Sequence, residues 1–194
     1  MEQLFFKIFE FFADLGVWGI MFGLMVEVIP SEIVLGYGGY LISIGEINFT
    51  NALIAGVVGG TFAQLFLYWA GSIGGRPFLE KYGKYILVQP KHLNLSEKWF
   101  IEYGPIVVFA ARFVPVVRHA ISIPAGVAKM PFLPFLLYTV VAVIPWTILF
   151  LYLGFELGEN WREIKQAAKP LVLPLIFLMG IGVLTYFLLG RKRK

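Results

Sequence analysis

The chain has 194 residues, of which 59% are apolar and only 14% are charged. A soluble domain is roughly 45–50% apolar and about 25% charged, so this composition excludes an ordinary soluble enzyme, a disordered chain and a coiled coil. There is no cysteine, which excludes disulfides and thiolate metal ligands. The net charge is +4, but the basic run 191–194 supplies much of it. Such a run is typical of a membrane-side tail, and we expect no nucleic-acid partner.

Three apolar runs are long enough to cross a membrane, since a span needs about 20 predominantly apolar residues. They cover residues 51–73, 132–155 and 170–189. Two further apolar regions, 15–46 and 104–129, are interrupted near their middles by proline and by charge. Each half is too short to cross, which favours a re-entrant hairpin in both regions.

The distribution of charge predicts the orientation of these segments. The stretch 77–100 has an excess of lysine, so the positive-inside rule places it in the cytoplasm together with the basic tail. The acidic stretch 1–14 and the balanced stretch 156–169 are then outside. We therefore predict a single all-α membrane domain over 1–194, in this order: an interfacial helix (1–14), a re-entrant hairpin (15–46), a transmembrane helix (51–73), a cytoplasmic amphipathic linker (77–100), a second re-entrant hairpin (104–129), a transmembrane helix (132–155), an outer loop (156–169), a third transmembrane helix (170–189) and a cytoplasmic tail (190–194).

This order contains an internal repeat, because a hairpin followed by a span occurs twice with opposite insertion. Inverted repeats of this kind are typical of transporters whose substrate site lies near the membrane midplane, where broken helices meet. Pro30 and Pro115 mark the two breaks. Chance placement of interfacial prolines is the alternative explanation.

Few charged residues lie inside the apolar regions. Away from the predicted hairpin exits, they are Glu27 and Glu32 in the first hairpin and Arg112 and Arg118 in the second. An ionised group in such a position costs at least about 2.5–3.5 kcal/mol and needs a partner or a water-filled cavity. We expect these four residues to form the functional site.

The chemistry of these side chains indicates an anionic, amphiphilic substrate. A guanidinium binds two phosphate oxygens at once and stays protonated in apolar surroundings, so Arg112 and Arg118 are the predicted phosphate ligands. Burial disfavours the charged form of a carboxylate, so Glu27 and Glu32 are the predicted proton-coupling or gating groups. The alternatives are a static salt-bridge lock between the repeats and snorkelling of the side chains to an interface.

Other residues are candidates for the cavity wall. They are Gln64 and Tyr68, which share a face of the first span with small residues, the neighbour of the second arginine, His119, and the glycines Gly38, Gly39 and Gly126. Helix packing is the alternative role for the glycines, and a hydrogen bond between helices is the alternative for Gln64. We predict no enzymatic activity, no metal and no cofactor, because a phosphatase also needs a nucleophile with an acid–base partner.

Several motifs together resemble the DedA family of membrane proteins over about residues 15–160. They are Glu27-Val28-Ile29-Pro30-Ser31-Glu32, the series from Gly59-Gly60 through Tyr68 and Gly71 to Gly74-Gly75-Arg76, and the block from Phe109 to Arg118 with Pro124-Ala125-Gly126 and Met130. The resemblance implies two opposed re-entrant hairpins, a site that contains Glu27, Glu32, Arg112 and Arg118, and the movement of lipids across a membrane.

Glu32 and the short chain resemble most the members that return undecaprenyl phosphate across the bacterial cytoplasmic membrane. The resemblance thus implies this carrier lipid as substrate, with membrane lipids as the surroundings. A phosphatidylethanolamine or general phospholipid translocase or scramblase is the alternative within the class. A proton-coupled ion antiporter is the alternative outside it, with the carboxylates as the whole site.

Overall fold

The computed structural model describes residues 15–26, 29–82, 106–112, 117–164 and 166–168, with single positions from 170 to 181. For 75–82, 119, 161 and 162 only the backbone is described. All regular structure in these ranges is helical, which confirms the predicted all-α class. The helices are α1 (Val17–Val26), α2 (Ser31–Ser43), α3 (Phe49–Tyr82), α4 (Ile106–Ala111), α5 (Val117–Ala120), α6 (Ser122–Val127) and α7 (Phe132–Leu157), followed by a 3₁₀ segment (Gly158–Glu163).

Two helices of the described ranges are long and apolar enough to cross a membrane. The qualifying stretches are Phe49–Gly74 in α3 and Phe132–Asn160 at α7, where the sequence predicts the first two spans. The α3 helix begins after Asn48, whose side-chain Oδ1 accepts a hydrogen bond from the backbone N–H of Asn51 at 2.8 Å. It continues beyond the apolar stretch to Tyr82, so the glycine pair after Ile73 does not end it.

Both predicted hairpins are interrupted close to the expected positions. The α1 helix ends at Val26, and α2 begins after Pro30, whose carbonyl accepts a hydrogen bond from the Ile33 N–H at 2.9 Å. In the second hairpin α4 ends at Ala111 and α5 begins at Val117. Pro30 has no N–H to donate and its backbone is not helical (φ −53°, ψ 130°), so α2 begins after it.

The helices α2 and α6, each the second helix of a predicted hairpin, end in the same hydrogen-bonding pattern. After α2, Gly45 (φ +79°) donates to Ile42 O and Glu46 donates to Leu41 O. After α6, Lys129 (φ +49°) and Met130 donate in the same way to the carbonyls of Gly126 and Ala125. This pattern is a Schellman motif, which satisfies the last carbonyls of a helix and reverses the chain. Both chain reversals lead into a long helix.

The described chain forms two compact units, which we name the first unit (residues 1–63 and 143–172) and the second unit (64–142 and 173–194). In the first unit α1, α2 and the ends of α3 and α7 enclose a largely apolar core with Leu35, Phe150 and Leu151 at its centre, and Thr61 and Thr147 of this unit are also buried. A Cβ atom on Gly39 would collide with the backbone of Leu151 and Phe155, and one on Gly154 with the backbone of Gly36. The α2 and α7 backbones are therefore in direct contact.

The second unit has a smaller apolar core, in which Tyr68, Val108 and Phe135 are buried. A Cβ atom on Gly126 would collide with the backbone of Tyr68 and Ser72, and one on Gly71 with the carbonyl of Ile123. The α6 and α3 backbones are therefore in direct contact. In both units, two contacts spaced three residues apart hold a hairpin helix against a long helix.

Several predicted segments lie outside the described residues. They are the first interfacial helix (1–14), most of the linker (77–100), most of the last span (170–189) and the tail (190–194).

Candidate functional site

Arg112 lies at the end of α4, in the second unit. Its backbone N–H donates to the carbonyls of Val108 and Phe109, so the residue closes the last turn of the helix. Only 6% of the residue is exposed. A guanidinium buried in this way needs hydrogen-bond acceptors, because an unsatisfied buried charge is strongly destabilising.

Within the described ranges, four oxygen atoms accept the hydrogen bonds of the Arg112 guanidinium given below, and we call them together the Arg112 cage. Nη1 donates to Gln64 Oε1 at 2.9 Å and to the backbone carbonyl of Arg118 at 3.0 Å. Nη2 donates to Ser122 Oγ at 3.1 Å and to Thr139 Oγ1 at 2.8 Å. The cage draws one oxygen each from α3, α5, α6 and α7, so Arg112 connects these helices of the second unit.

The two hydroxyl groups of the cage are fixed as acceptors. Ser122 Oγ donates its hydrogen to Gln64 Oε1 at 2.7 Å, and Thr139 Oγ1 donates to the carbonyl of Phe135 at 2.7 Å. A hydroxyl has one hydrogen, so its lone pairs remain for the guanidinium. All three cage side chains are almost fully buried. The orientation of Arg112 is therefore set by side chains that are themselves held in place.

Aromatic rings surround this polar centre. The guanidinium carbon of Arg112 lies 5.6 Å from the centroid of the Phe135 ring, within the range of a cation–π interaction. Phe135 stacks on Tyr68 at a centroid distance of 4.5 Å, and the Tyr68 hydroxyl donates to the carbonyl of Met130 at 2.6 Å. The aromatic stack lowers the polarity around the guanidinium and thereby strengthens its electrostatic interactions.

Among the described residues, no general base bonds the hydroxyl of Ser122 in the cage. Its hydroxyl donates to the amide of Gln64, whereas nucleophilic serine needs a general base. Across the described ranges, no group of three or more histidine, aspartate and glutamate residues lies together.

The structure places the other predicted charged residues as follows. Arg118 contributes its carbonyl to the cage, and its side chain is half-buried. Glu32 lies in the first turn of α2 and is half-buried. Glu27 and the side chain of His119 lie outside the described residues.

The predicted cavity-wall residues take part in packing and hydrogen bonding. Gln64 belongs to the Arg112 cage, and Tyr68 supports Phe135. A Cβ atom on Gly38 would lie 2.8 Å from Ile20 Cδ1, so this glycine lets α1 approach α2. Gly39 and Gly126 form the backbone contacts described above. These contacts favour the packing role over contact with substrate for all three glycines.

Ser122 and Thr139 were missed by the sequence analysis. Both are small polar residues within long apolar runs, and the sequence of such a run does not indicate which group the hydroxyl bonds. The signal that was present is the rule that an arginine in an apolar region requires several acceptors. By that rule, every hydroxyl or amide within an apolar run of the same sequence is a candidate acceptor for the arginine.

Comparison with known proteins identifies the family. The model of the VTT domain matches residues 29–156, which include α2, all of α7 except Leu157 and the whole Arg112 cage. The chain belongs to the VTT-domain, or DedA, family. This confirms the resemblance seen in the motifs, and with the apolar helices it establishes a membrane protein.

Curated VTT-domain relatives cover nearly the whole chain. One, from Bacillus subtilis (strain 168), is named undecaprenyl phosphate transporter A; it is 53% identical over 99% of this chain and 97% of its own. A protein of the same name from Staphylococcus aureus is 28% identical over 100% of this chain and 99% of its own. A Lactococcus lactis relative named alkaline phosphatase-like protein is 32% identical over 96% and 92%. No solved structure matches the chain.

Proposed function

We propose that this VTT-domain protein moves undecaprenyl phosphate across the bacterial cytoplasmic membrane. The observation that carries the proposal is the buried guanidinium of Arg112, held by four neutral oxygens within a helical membrane domain. Two full-length relatives named for the transport of this lipid support the choice of substrate. The isoprenoid chain remains in the lipid phase, so that the protein needs to bind only the phosphate.

Arg112 and Arg118 bind the phosphate in this proposal. An anionic oxygen is a stronger acceptor for a guanidinium than an amide or hydroxyl, because the hydrogen bond is charge-assisted. When the phosphate displaces neutral acceptors of the cage, the stronger hydrogen bonds that it accepts offset most of the free energy lost with the old ones. The carbonyl of Arg118 already accepts from Arg112 at 3.0 Å, so the short segment between the two arginines brings the second cation to the same unit.

Glu27 and Glu32 exchange protons and set when the phosphate is loaded and released. A protonated carboxyl group does not repel phosphate, whereas the ionised form does. Glu32 has a position suited to this role, since it is a half-buried carboxylate in the first turn of a helix of the apolar first unit.

We also propose that the chain is an inverted repeat of a re-entrant hairpin and a spanning helix. Two observations support this. Both α2 and α6 end in a Schellman motif, and in each unit the two backbone contacts are three residues apart on the long helix, α7 in the first unit and α3 in the second. The predicted orientation, with the basic C-terminus in the cytoplasm, belongs to the same proposal.

Reconstitution into liposomes tests the proposal. Purified protein is incorporated into vesicles that contain undecaprenyl phosphate, and the phosphate reaching the other leaflet is measured with an impermeant reagent. Arg118→Ala is expected to reduce movement at least about tenfold, since a hydrogen bond to a charged group contributes about 1.5–3 kcal/mol. Arg112→Lys is expected to act similarly, because lysine keeps the charge but not the fork.

The controls separate this function from the alternatives. Lys129→Gln removes a cation at the hairpin exit and is expected to leave movement unchanged. Normal transport by both folded arginine variants would refute the phosphate assignment. Equal movement of phosphatidylethanolamine would indicate a general scramblase, and dephosphorylated lipid recovered after incubation would indicate an enzyme. Repeating the assay across a pH series with Glu32→Gln tests proton coupling, which fails if the pH profile is unchanged.

A further inference from the structure

The two long helices of the chain each pass from one compact unit into the other. In α3 the division falls between Ala63 and Gln64, and in α7 it falls between Ala142 and Val143. Each long helix therefore has one part that belongs to the first unit and one part that belongs to the second. A motion of either unit as a body would have to be absorbed near the middle of these two helices.

Backbone contacts hold the helices together inside each unit. The glycine contacts described above leave no room for a methyl group between α2 and α7 in the first unit, or between α6 and α3 in the second. These contacts cannot adjust by rotation of a side chain, since no side chain lies between the backbones, and closely packed interiors resist deformation. Each unit is therefore suited to move as one body.

The middle of α7 is weakened by Pro145, which lies inside the helix. Proline has no N–H, so it donates no helix hydrogen bond to the carbonyl of Val141, four residues earlier, and its ring crowds that carbonyl. The missing hydrogen bond spans the division between Ala142 and Val143. Proline in a helix interior is a common cause of bending.

The middle of α3 is weakened by glycine. Gly59 and Gly60 precede the division of this helix by about one turn, and each glycine lowers the stability of a helix relative to alanine. The two long helices approach each other here, since a Cβ atom on Gly60 would lie 3.3 Å from Val143 Cγ1. This neighbour is a side-chain methyl group, whereas the paired glycine contacts inside the units meet backbone atoms. The contact can therefore adjust when α7 bends.

We infer that α7 bends at Pro145, with α3 yielding at Gly59 and Gly60, and that this bend moves the two units as bodies while the lipid phosphate crosses the membrane. The bend is a property of the fold, and only its use in transport rests on the proposed function. Pro134 provides a matched comparison, because it lies in the first turn of the same helix, where an N–H has no helix acceptor.

Distances between spin labels test the bend. The chain contains no cysteine, so Leu133→Cys with Tyr152→Cys gives two unique labelling sites in the full-length protein in lipid nanodiscs. Both residues are exposed and lie on opposite sides of Pro145, about 28 Å apart along a straight helix at roughly 1.5 Å per residue. Double electron–electron resonance is expected to give a broad distance distribution, which Pro145→Ala narrows and lengthens and Pro134→Ala leaves as it is. A distribution unchanged by Pro145→Ala would overturn the inference.

Labels within one unit provide the internal control. Trp18 and Tyr152 are exposed residues of the first unit. For the pair Trp18→Cys with Tyr152→Cys, we expect a narrow distance distribution that Pro145→Ala does not alter, because both labels move with the same body. A broad distribution for this pair would contradict the rigidity of the unit, and with it the inference.

Transport measurements connect the bend to function. Pro145→Ala is expected to slow the movement of undecaprenyl phosphate in liposomes at least about fivefold, because alanine favours a straight helix interior far more than proline does. The affinity for this lipid, measured by native mass spectrometry, is expected to change by less than about twofold, since Pro145 does not belong to the Arg112 cage. Pro134→Ala is expected to change neither quantity.

Gly60→Ala is a second variant, which keeps the test decisive if Pro145→Ala does not fold. It strengthens α3 as a helix and fills the space beside Val143, so transport is expected to slow at least about threefold while affinity is kept.

The two possible failures give different results. If the unmodified protein moves no undecaprenyl phosphate while Pro145→Ala still narrows the α7 distances, the proposed function fails and the bend is established. If lipid moves and neither Pro145→Ala nor Gly60→Ala slows it, the proposed function stands and the role of the bend in transport is wrong.

Discussion

The two units of this chain use the same helix packing around different centres. In the first unit Gly39 and Gly154 bring α2 and α7 into backbone contact, and in the second Gly126 and Gly71 do the same for α6 and α3. The residues beside these contacts in the first unit are mainly apolar and include one buried threonine, Thr147, whereas in the second they include the Arg112 cage.

A position-by-position comparison makes this difference specific. The residues that make the backbone contacts can be aligned between the units. On the shorter helices, Gly36 and Gly39 of α2 correspond to Ile123 and Gly126 of α6. On the long helices, Leu151 and Gly154 of α7 correspond to Tyr68 and Gly71 of α3, and this alignment also matches the first residues of these helices, Phe132 and Phe49. The cage residues Ser122, Thr139 and Gln64 then correspond to Leu35, Gly56 and Thr147.

The matched residues of the first unit form a cluster of their own. A Cβ atom on Gly56 would lie 2.5 Å from Thr147 Cγ2 and 3.1 Å from Leu35 Cδ2. One unit thus fills this position with a leucine and a methyl group, while the other fills it with acceptors for a cation. The packing is common to both units, and the chemistry of the site belongs to one of them.

The largest expected effect concerns the packing that the units share. Gly39→Ala and Gly126→Ala each place a methyl group against backbone atoms that cannot rotate away, and each is expected to lower the free energy of unfolding by about 3 kcal/mol or more. Unfolding in detergent, followed by tryptophan fluorescence, measures this. Gly60→Ala is the control, because its nearest atom is Val143 Cγ1 at 3.3 Å. If only one of the two variants lost much stability, the backbone contacts of the two units would not be equivalent.

An intermediate effect is expected from the residues that differ. Leu35→Ala leaves a cavity in an apolar core and is expected to cost about 3 kcal/mol of stability. It is not expected to change the preference of the protein for undecaprenyl phosphate over the uncharged alcohol undecaprenol. Ser122→Ala removes one acceptor and is expected to cost about 1–2 kcal/mol while reducing that preference. Unfolding in detergent measures the stability of both variants, and native mass spectrometry measures how much undecaprenyl phosphate and undecaprenol each variant binds. A change of preference in Leu35→Ala would show that the two centres are not functionally distinct.

The smallest effect concerns the two Schellman motifs. Lys129 has φ +49°, a conformation that costs a residue with a side chain about 1 kcal/mol, whereas its counterpart Gly45 adopts φ +79° freely. Lys129→Gly is therefore expected to stabilise the protein by up to about 1 kcal/mol, and Gly45→Ala to destabilise it by a similar amount. Shifts of the melting temperature in opposite directions would agree with this. A loss of stability in Lys129→Gly would indicate that its side chain makes a compensating contact.

Much of the architecture was predictable from the sequence because it depends on local patterns. Long apolar runs predict α3 and α7, and proline with charge predicts the breaks near Pro30 and Pro115, since these effects act within a few residues. The end of α3 was less predictable. Its helix continues past Gly74 to Tyr82, because a glycine pair weakens a helix by about 1–2 kcal/mol but does not block its hydrogen bonds.

The candidate site was predictable only in part. Arg112 was identified because a permanent charge in an apolar run is conspicuous in any sequence. Gln64 was also identified, but its pairing with Arg112 was not, and Ser122 and Thr139 were missed, since these three residues come from three helices and nothing local relates them.

The sequence by itself determined that this chain belongs in a membrane, where the two long apolar helices α3 and α7 lie, and which cations fall within its apolar runs. These properties follow from composition and from the cost of charge in lipid, which act residue by residue. Only the tertiary structure decided that Gln64, Ser122 and Thr139 meet at Arg112 and that the matching residues of the first unit pack a leucine and a threonine methyl group against Gly56. Those properties depend on helices brought together over 48 residues between Gln64 and Arg112, a separation at which contacts are set by packing of the whole unit.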